Sequence, residues 1–254
     1  MSVAFVLLII LIVSMIMIGE NRGVKSFFVL ILNFSMFFII LRLAAGGYDP
    51  LGVTIAGCAI ISSFTLFYIN GVNRKTISSL IAVLLVVLVT LLITYKMGTD
   101  AKLQGFSNDN PGAAAYMSHY VHINFGRLFI CEIIIGLLGA IIDVSISISS
   151  SMNEILRNNL LIGKAALFRS GLNIGKDILG TMTNTLLFAY LSGFMSLLVW
   201  FRMIKYPISR MLNSKMFGPE IFQMLSSGIG IILIIPATAA IATIIMFFKR
   251  NHSL

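Results

Sequence analysis

The stretch GLLGAIIDVSISISSSMNEILRN, residues 136–158, decides the fold class of this 254-residue chain. Residues 136–147, the first half of this stretch, belong to an apolar block that begins near residue 126. The only charged side chain within residues 136–147 is Asp143. A block of this length can cross a bilayer, which requires roughly 20 predominantly apolar residues per helix. An acid inside such a helix is costly, so its presence calls for a physical explanation.

The composition extends this interpretation to the whole chain. The sequence is 58% hydrophobic and 11% charged, whereas soluble domains are about 25% charged, which excludes a soluble domain. We expect an all-α fold, a polytopic transmembrane helical bundle of about seven spans in one domain over residues 1–254. The spans are predicted at residues 2–19, 26–45, 50–70, 77–96, 126–148, 179–201 and 221–248. The segment 149–178 mixes apolar clusters with charges and predicts interfacial helices on the inner side.

The charge balance concerns topology and lipid rather than nucleic acid. Lys and Arg number 18 against 9 Asp and Glu, for a formal net charge of +9. The basic residues lie between the apolar blocks, where they act as topology signals and contact phospholipids. Membrane lipids are therefore the expected partners, and no nucleic-acid partner is expected. The distribution of basic residues over the loops favours an N-terminus outside and a C-terminus inside.

A polar stripe runs along the fifth predicted span. Steps of three and four residues place its members on one face of a helix. They are Glu132, Gly136, Gly139, Asp143, Ser147, Ser150 and Glu154. Glycines permit close helix approach, and serines supply hydrogen bonds between helices. The stripe is thus predicted to pack against protein or to line a polar path, with Gly136 and Gly139 as packing positions.

Asp143 is the main functional candidate of this stripe. A charge at the centre of a bilayer costs roughly 2.5–3.5 kcal/mol, so the side chain should face protein or water. Removal from water favours the protonated form of a carboxyl group, which suits binding and release of a proton or cation. Ser147 and Glu132 would extend the same pathway. The alternative is that Asp143 only fixes helix packing through a hydrogen bond.

The sixth and seventh predicted spans carry further polar and small residues. Thr181 and Asn184, in GTMTNTLL, lie on one helix face, and a mid-membrane Asn is expensive unless it is hydrogen-bonded. Asn184 is therefore predicted to meet the Asp143 stripe, as helix contact or as lining of a substrate path. In the last span, Gly230 suits tight packing, and Pro236 predicts a kink.

Motifs for enzymatic or metal chemistry are missing or weak. The phosphate-binding P-loop, the Gly-x-Ser-x-Gly elbow and the HExxH pattern are absent, so no enzyme and no cofactor is expected. His119 and His122 form an HxxH near Asp109, but two histidines without an adjacent third ligand are a weak metal signal. No metal site is expected. Cys58 and Cys131 lie in apolar blocks and are expected to remain free thiols.

Three stretches carry a resemblance to a known family. They are GLLGAIIDVSISISSSMNEI, GKDILGTMTNTLLFAYLSG and LNSKMFGPEIFQMLSSGIGIILIIPATA, which cover the C-terminal half. Here the chain resembles the YibE/F-like family of bacterial integral membrane proteins. That family is in turn similar to the membrane half of the resistance-nodulation-division superfamily, especially the shorter subunit of the proton-driven Sec accessory pair. The chain departs from those exporters in lacking a large extracytoplasmic domain.

The resemblance implies a location and a role. The chain would lie in the bacterial inner membrane, and Asp143 would relay protons, with Thr181 and Asn184 on the facing helix. It would act with a second copy of itself or with a longer paralogue. We therefore expect a transport subunit, coupled to protons, for an unidentified solute. The alternative is a scaffold or assembly subunit that stabilises a paralogous partner without transporting anything.

Overall fold

The computed structural model describes residues 3–100, 124–159, 161–214 and 216–248, and every regular element in these ranges is an α-helix. The elements are α1 Val3–Ala45, α2 Pro50–Asn70, α3 Arg74–Asp100, α4 Phe125–Asn158, α5 Lys164–Gly193, α6 Met195–Met203, α7 Ile208–Leu212 and α8 Phe217–Phe248. The expected all-α class is confirmed.

The helices are long and apolar enough for a multi-pass membrane protein. Five of the described helices, α1 to α4 and α8, meet the requirements of a span by length and composition. The pair α5 and α6, bent by 42° at a short break, would make a sixth as one broken span. The expected count of about seven is therefore not confirmed, and it depends on how α1 is counted.

α1 has 43 residues but is not one straight helix. The Glu20 backbone has φ 46° and ψ −130°, a conformation that costs a non-glycine residue on the order of 1–3 kcal/mol. A side chain at Gly23 would collide with the backbone carbonyl of Met15, whereas these positions are about 12 Å apart along a straight helix. The chain therefore bends sharply at Glu20. Seven spans would require the parts before and after this bend to cross separately, which stays a prediction.

The turn between α1 and α2 is fixed by one acid. Asp49 caps α2 by accepting a hydrogen bond from the Gly52 amide at 3.1 Å, and Pro50 occupies the first turn, where its missing N–H costs nothing. The same carboxylate pairs with Arg127 at 2.8 Å. This ion pair joins the start of α2 to the start of α4.

The core lies where α3, α4 and α8 meet, with α5 against α8 and α4. α4 contributes a fully buried apolar face that includes Ile134, Leu137, Ile141 and Ile148. α5 comes close to α8 because Gly175 has no side chain, and a Cβ there would collide with Ile235. By contrast, the most apolar window of α1 has no buried residue in this chain, which suits contact with lipid.

The predicted inner segment does not form separate helices. Residues 149–158 are the last turns of α4, which ends at Asn158, and residues 164–178 are the first half of α5, which begins at Lys164. Both parts contribute to the helix bundle, since Met152 packs against Gly171. Whether these ends lie along the membrane surface stays a prediction.

Candidate functional site

The polar stripe forms one face of α4, but that face lies at the surface of the chain. Glu132, Gly136, Gly139 and Asp143 are exposed, and Ser147 is half-buried. The opposite face holds the buried aliphatic core. Apart from Gly136, which Tyr190 of α5 approaches, the stripe therefore does not pack inside this chain as a helix-contact face would. Its exposure is the central feature of the candidate site.

Asp143 lines a groove between α1 and α4 with a volume of about 280 Å³. Phe37 lies on the α1 side, and Ile61 and Thr65 of α2 form the floor. Asn33 also lines the groove and donates a hydrogen bond from Nδ2 to Thr65 Oγ1 at 3.1 Å. The Asn33 Oδ1 atom is buried and makes no hydrogen bond within the described residues. Asn33 and Thr65 thus supply polar atoms to the groove that Asp143 lines, and its other walls are apolar.

Asp143 has no partner of opposite charge within residues 3–100, 124–159, 161–214 and 216–248. No ion pair or hydrogen bond reaches its carboxylate from the described part of the chain. It stands about 27 Å from the start of α4 and about 22 Å from its end, at 1.5 Å per residue. An Asp side chain is too short to reach either end of such a helix. If α4 crosses the membrane over residues 126–148, Asp143 lies about 9 Å from the middle of that span, within the hydrocarbon.

A second groove adjoins the first and contains the other acid of the stripe. It has a volume of about 440 Å³ and shares Phe37 and Ile135 with the Asp143 groove. Glu132, Thr54 and Gln223 supply its polar atoms, and the remaining walls are apolar. We call the two together the α1–α4 groove. Glu132 and Asp143 thus both line the α1–α4 groove.

Glu132 is not paired with the nearby arginine. Arg127 lies one turn earlier on α4 but binds Asp49 instead. Glu132 interacts electrostatically with another acid, Glu220 of α8, and with Tyr190 of α5. This end of the groove therefore brings two acidic side chains near each other, and no basic side chain is among the described residues that line it.

The predicted meeting of Asn184 with the Asp143 stripe is not seen in this chain. Thr181 and Asn184 are exposed on α5, and the Thr181 hydroxyl donates to the Ile178 carbonyl of its own helix at 2.9 Å. α5 nevertheless runs antiparallel to α4. Gly171 lies against Met152, and Tyr190, later in α5, lies against Gly136, earlier in α4. Counting along both helices places residues 180–183 at about the depth of Asp143. Thr181 and Asn184 thus share the depth of the acid without contacting it.

The packing positions named from the sequence differ in their surroundings. A Cβ at Gly230 would lie 3.2 Å from Leu137 Cδ1, so this glycine sits in a tight α4–α8 contact. At Gly136 a Cβ would lie 2.9 Å from the Tyr190 hydroxyl, whereas Gly139 has open space around it. Pro236 lies on the exposed side of α8, and the helix continues through it.

A buried hydroxyl cluster escaped the sequence interpretation. Thr238 Oγ1 donates to Ser145 Oγ at 3.0 Å, and Ser79 Oγ donates to Ser149 Oγ at 3.0 Å. All four side chains are completely buried where α3, α4 and α8 meet. The i, i+4 spacing of Ser145 and Ser149 is the signal in the sequence that indicates this second polar face of α4.

The weak metal signal cannot be placed. His119, His122 and Asp109 lie outside the described residues. Within residues 3–100, 124–159, 161–214 and 216–248, no group of three metal-ligating side chains occurs. Cys58 and Cys131 are buried free thiols in this part of the chain.

Comparison with known proteins identifies the family. The YibE/F-like protein family matches residues 7–247, nearly the whole chain. The chain belongs to the YibE/F-like family. The match includes the first four predicted spans, for which the quoted motifs had carried no resemblance. No curated protein and no solved structure shows a significant match.

Proposed function

We propose that this YibE/F-like protein is a subunit of a membrane transporter and that proton binding at Asp143 drives the transport of a solute. The observation that supports this most is the position of Asp143. It is exposed near the middle of a long apolar helix, in a groove, without a counter-charge among the described residues. The resemblance of the family to proton-driven exporters agrees with this role.

The physical basis is the difference between the two protonation states. A charged carboxylate in hydrocarbon costs roughly 2.5–3.5 kcal/mol, and protonation removes most of this penalty. A proton therefore changes which surroundings the Asp143 face of α4 prefers, a polar path or apolar contact. An equilibrium between two helix arrangements would shift by that difference. The polar lining supplied by Asn33 and Thr65 gives the charged form a favourable environment.

The proposal includes a partner in the membrane. Gly139 has open space beside it, and Asp143, Thr181 and Asn184 are all exposed at about the same depth. A second copy of the chain, or a longer paralogue, would cover this polar surface. Small residues such as Gly139 allow another helix to approach closely. The transport path would then lie between the two subunits, and no catalytic residue is required.

The test is proton flux through the complex reconstituted into lipid vesicles. A pH-sensitive dye inside the vesicles reports proton entry after a pH step. Asp143→Asn keeps the shape of the side chain but cannot exchange a proton, so we expect the protein-dependent flux to fall at least tenfold. Glu154→Gln, a change at the far end of the same stripe, is the matched control and should keep the flux. Undiminished flux in Asp143→Asn would remove this residue from the mechanism.

The second candidate is a scaffold subunit, and the same exposed stripe supports it. A partner that pairs with Asp143 could need the acid only for assembly. In that case Asp143→Asn would lower the amount of partner recovered on purification, and no protein-dependent flux would exist in the wild type. Measuring copurification and flux on the same preparations separates the two functions.

A further inference from the structure

We infer that the Glu132 end of the α1–α4 groove is a binding site for a hydrophobic organic cation with an N–H donor. Its chemical class is a protonated amine attached to an apolar body. The inference deepens the proposed function by naming a substrate class for the groove, and it rests on that function only in treating the bound amine as cargo. The binding itself can be measured without any transport.

The shape and lining of the groove set the apolar part of the ligand. A volume of about 440 Å³ falls in the range of small-molecule sites, roughly 300–1,000 Å³. The walls are formed by aliphatic and aromatic side chains, among them Phe37, Ile40 and Leu128. α1 and α4 border the groove without packing closely on each other, so a ligand dissolved in the membrane can enter sideways. The apolar body would lie against these walls.

The charge of the groove sets the polar part. Glu132 lines it, and among the described residues no lysine or arginine does. The nearest cation on α4, Arg127, is held by Asp49. Glu220 adds negative potential from α8. In surroundings of low polarity such an uncompensated carboxylate attracts a cation strongly, since charge–charge interaction is less screened there than in water.

A buried oxygen points to a ligand with a hydrogen-bond donor. Thr54 is 1% exposed and lines the groove, and its hydroxyl interacts with the Cys131 thiol, a weak hydrogen-bonding group, but has no nitrogen or oxygen partner within the described residues. Buried hydroxyl groups in folded proteins are nearly always hydrogen-bonded, so an unpaired one calls for an explanation. An ammonium group in the groove would pair with the Glu132 carboxylate, and Thr54 lines the same groove. A neutral apolar molecule could satisfy neither group.

The test is equilibrium binding of radiolabelled propranolol, a naphthyl ether with a secondary ammonium, to the full chain in phosphatidylcholine nanodiscs. Empty nanodiscs give the lipid background. We expect saturable binding to the wild type and a loss of at least about tenfold in affinity for Glu132→Gln, as for a charge-assisted hydrogen bond. Glu132→Asp keeps the charge and should retain most of the binding. Glu154→Gln removes an acid outside the groove and should bind as the wild type does.

A neutral naphthyl ether without the nitrogen serves as a competitor, and we expect it to compete at least tenfold less well than unlabelled propranolol. Replacing part of the phosphatidylcholine by phosphatidylethanolamine distinguishes two sources of the cation. Displacement of the probe supports a lipid ammonium group as the occupant, and undiminished binding supports a free amine. Wild-type affinity in Glu132→Gln, or equal competition by the neutral ether, would overturn the inference. Because no flux is measured, either result leaves the role of Asp143 to its own test.

Discussion

The two faces of α4 treat polar side chains in opposite ways. On the buried face, Ser145 and Ser149 pair with hydroxyl groups of α8 and α3 at 3.0 Å. On the exposed face, Asp143 and Glu132 have no cationic partner among the described residues. The buried hydroxyls are satisfied within the chain and hold three helices together. The exposed acids are left available, which is how a group reserved for a ligand, a proton or a partner would be arranged.

The largest predicted effect tests whether Asp143 lies in hydrocarbon. In residues 134–152, inserted as a guest segment into a membrane-integration assay, Asp143→Leu should favour insertion by about 3 kcal/mol. The measurement is the inserted fraction, read from glycosylation sites on either side. Moving the acid to the end of the segment is the control and should give most of the same gain. An inserted fraction that does not change would mean that the acid carries no cost in this apolar segment, which would contradict the energetic argument for Asp143.

The second prediction concerns the apolar part of the buried face. Ile141 is completely buried, so Ile141→Ala should lower the free energy of unfolding by about 2 kcal/mol. This is the low end for buried aliphatic truncations, because separated helices remain in lipid and only the lost packing counts. Ile232→Ala, at a position 56% exposed, is the control. Reversible unfolding in mixed micelles measures both, and equal losses would contradict the assigned core.

A smaller effect is expected from the buried hydroxyls. A double-mutant cycle of Ser145→Ala and Thr238→Val should give a coupling energy of about 0.6 kcal/mol, the average for hydrogen bonds within membrane proteins. Unfolding in the same micelles provides the four free energies. A cycle of Ser147→Ala with Thr238→Val should show no coupling, because Ser147 lies on the other face. Coupling in the control alone would reverse the assignment of the faces.

The smallest predicted effect on the chain is at Gly139. Because a Cβ there meets no atom within 4 Å, Gly139→Leu should change the free energy of unfolding of the isolated chain by less than about 0.5 kcal/mol. The same substitution should reduce recovery of the oligomer, since it fills the surface that a partner helix would approach. Chemical cross-linking in native membranes measures the oligomer. Normal cross-linking in Gly139→Leu would argue against a partner at this stripe.

The sequence predicted which residues of α4 share a face, because that follows from helical periodicity alone. It could not predict which way the face points. Asn184 was expected to meet the Asp143 stripe, yet both are exposed. The direction in which the Asn184 face of α5 points depends on how α5 packs against α8. That packing includes the contact of Gly175 with Ile235, which are 60 positions apart in the sequence. Likewise the pairing of Arg127 with Asp49 depends on α2 lying beside α4.

The sequence by itself determined that this is a helical membrane protein with an acid in an apolar helix, because composition, span length and helical period are local properties. The tertiary structure decided that Asp143 and Glu132 line the α1–α4 groove at the surface. It also decided that Ser145 and Ser149, on the other face of α4, are buried. It also decided that α1 bends sharply at Glu20. These features depend on which helices are neighbours, and the free energy of such packing is set by side chains far apart in the sequence.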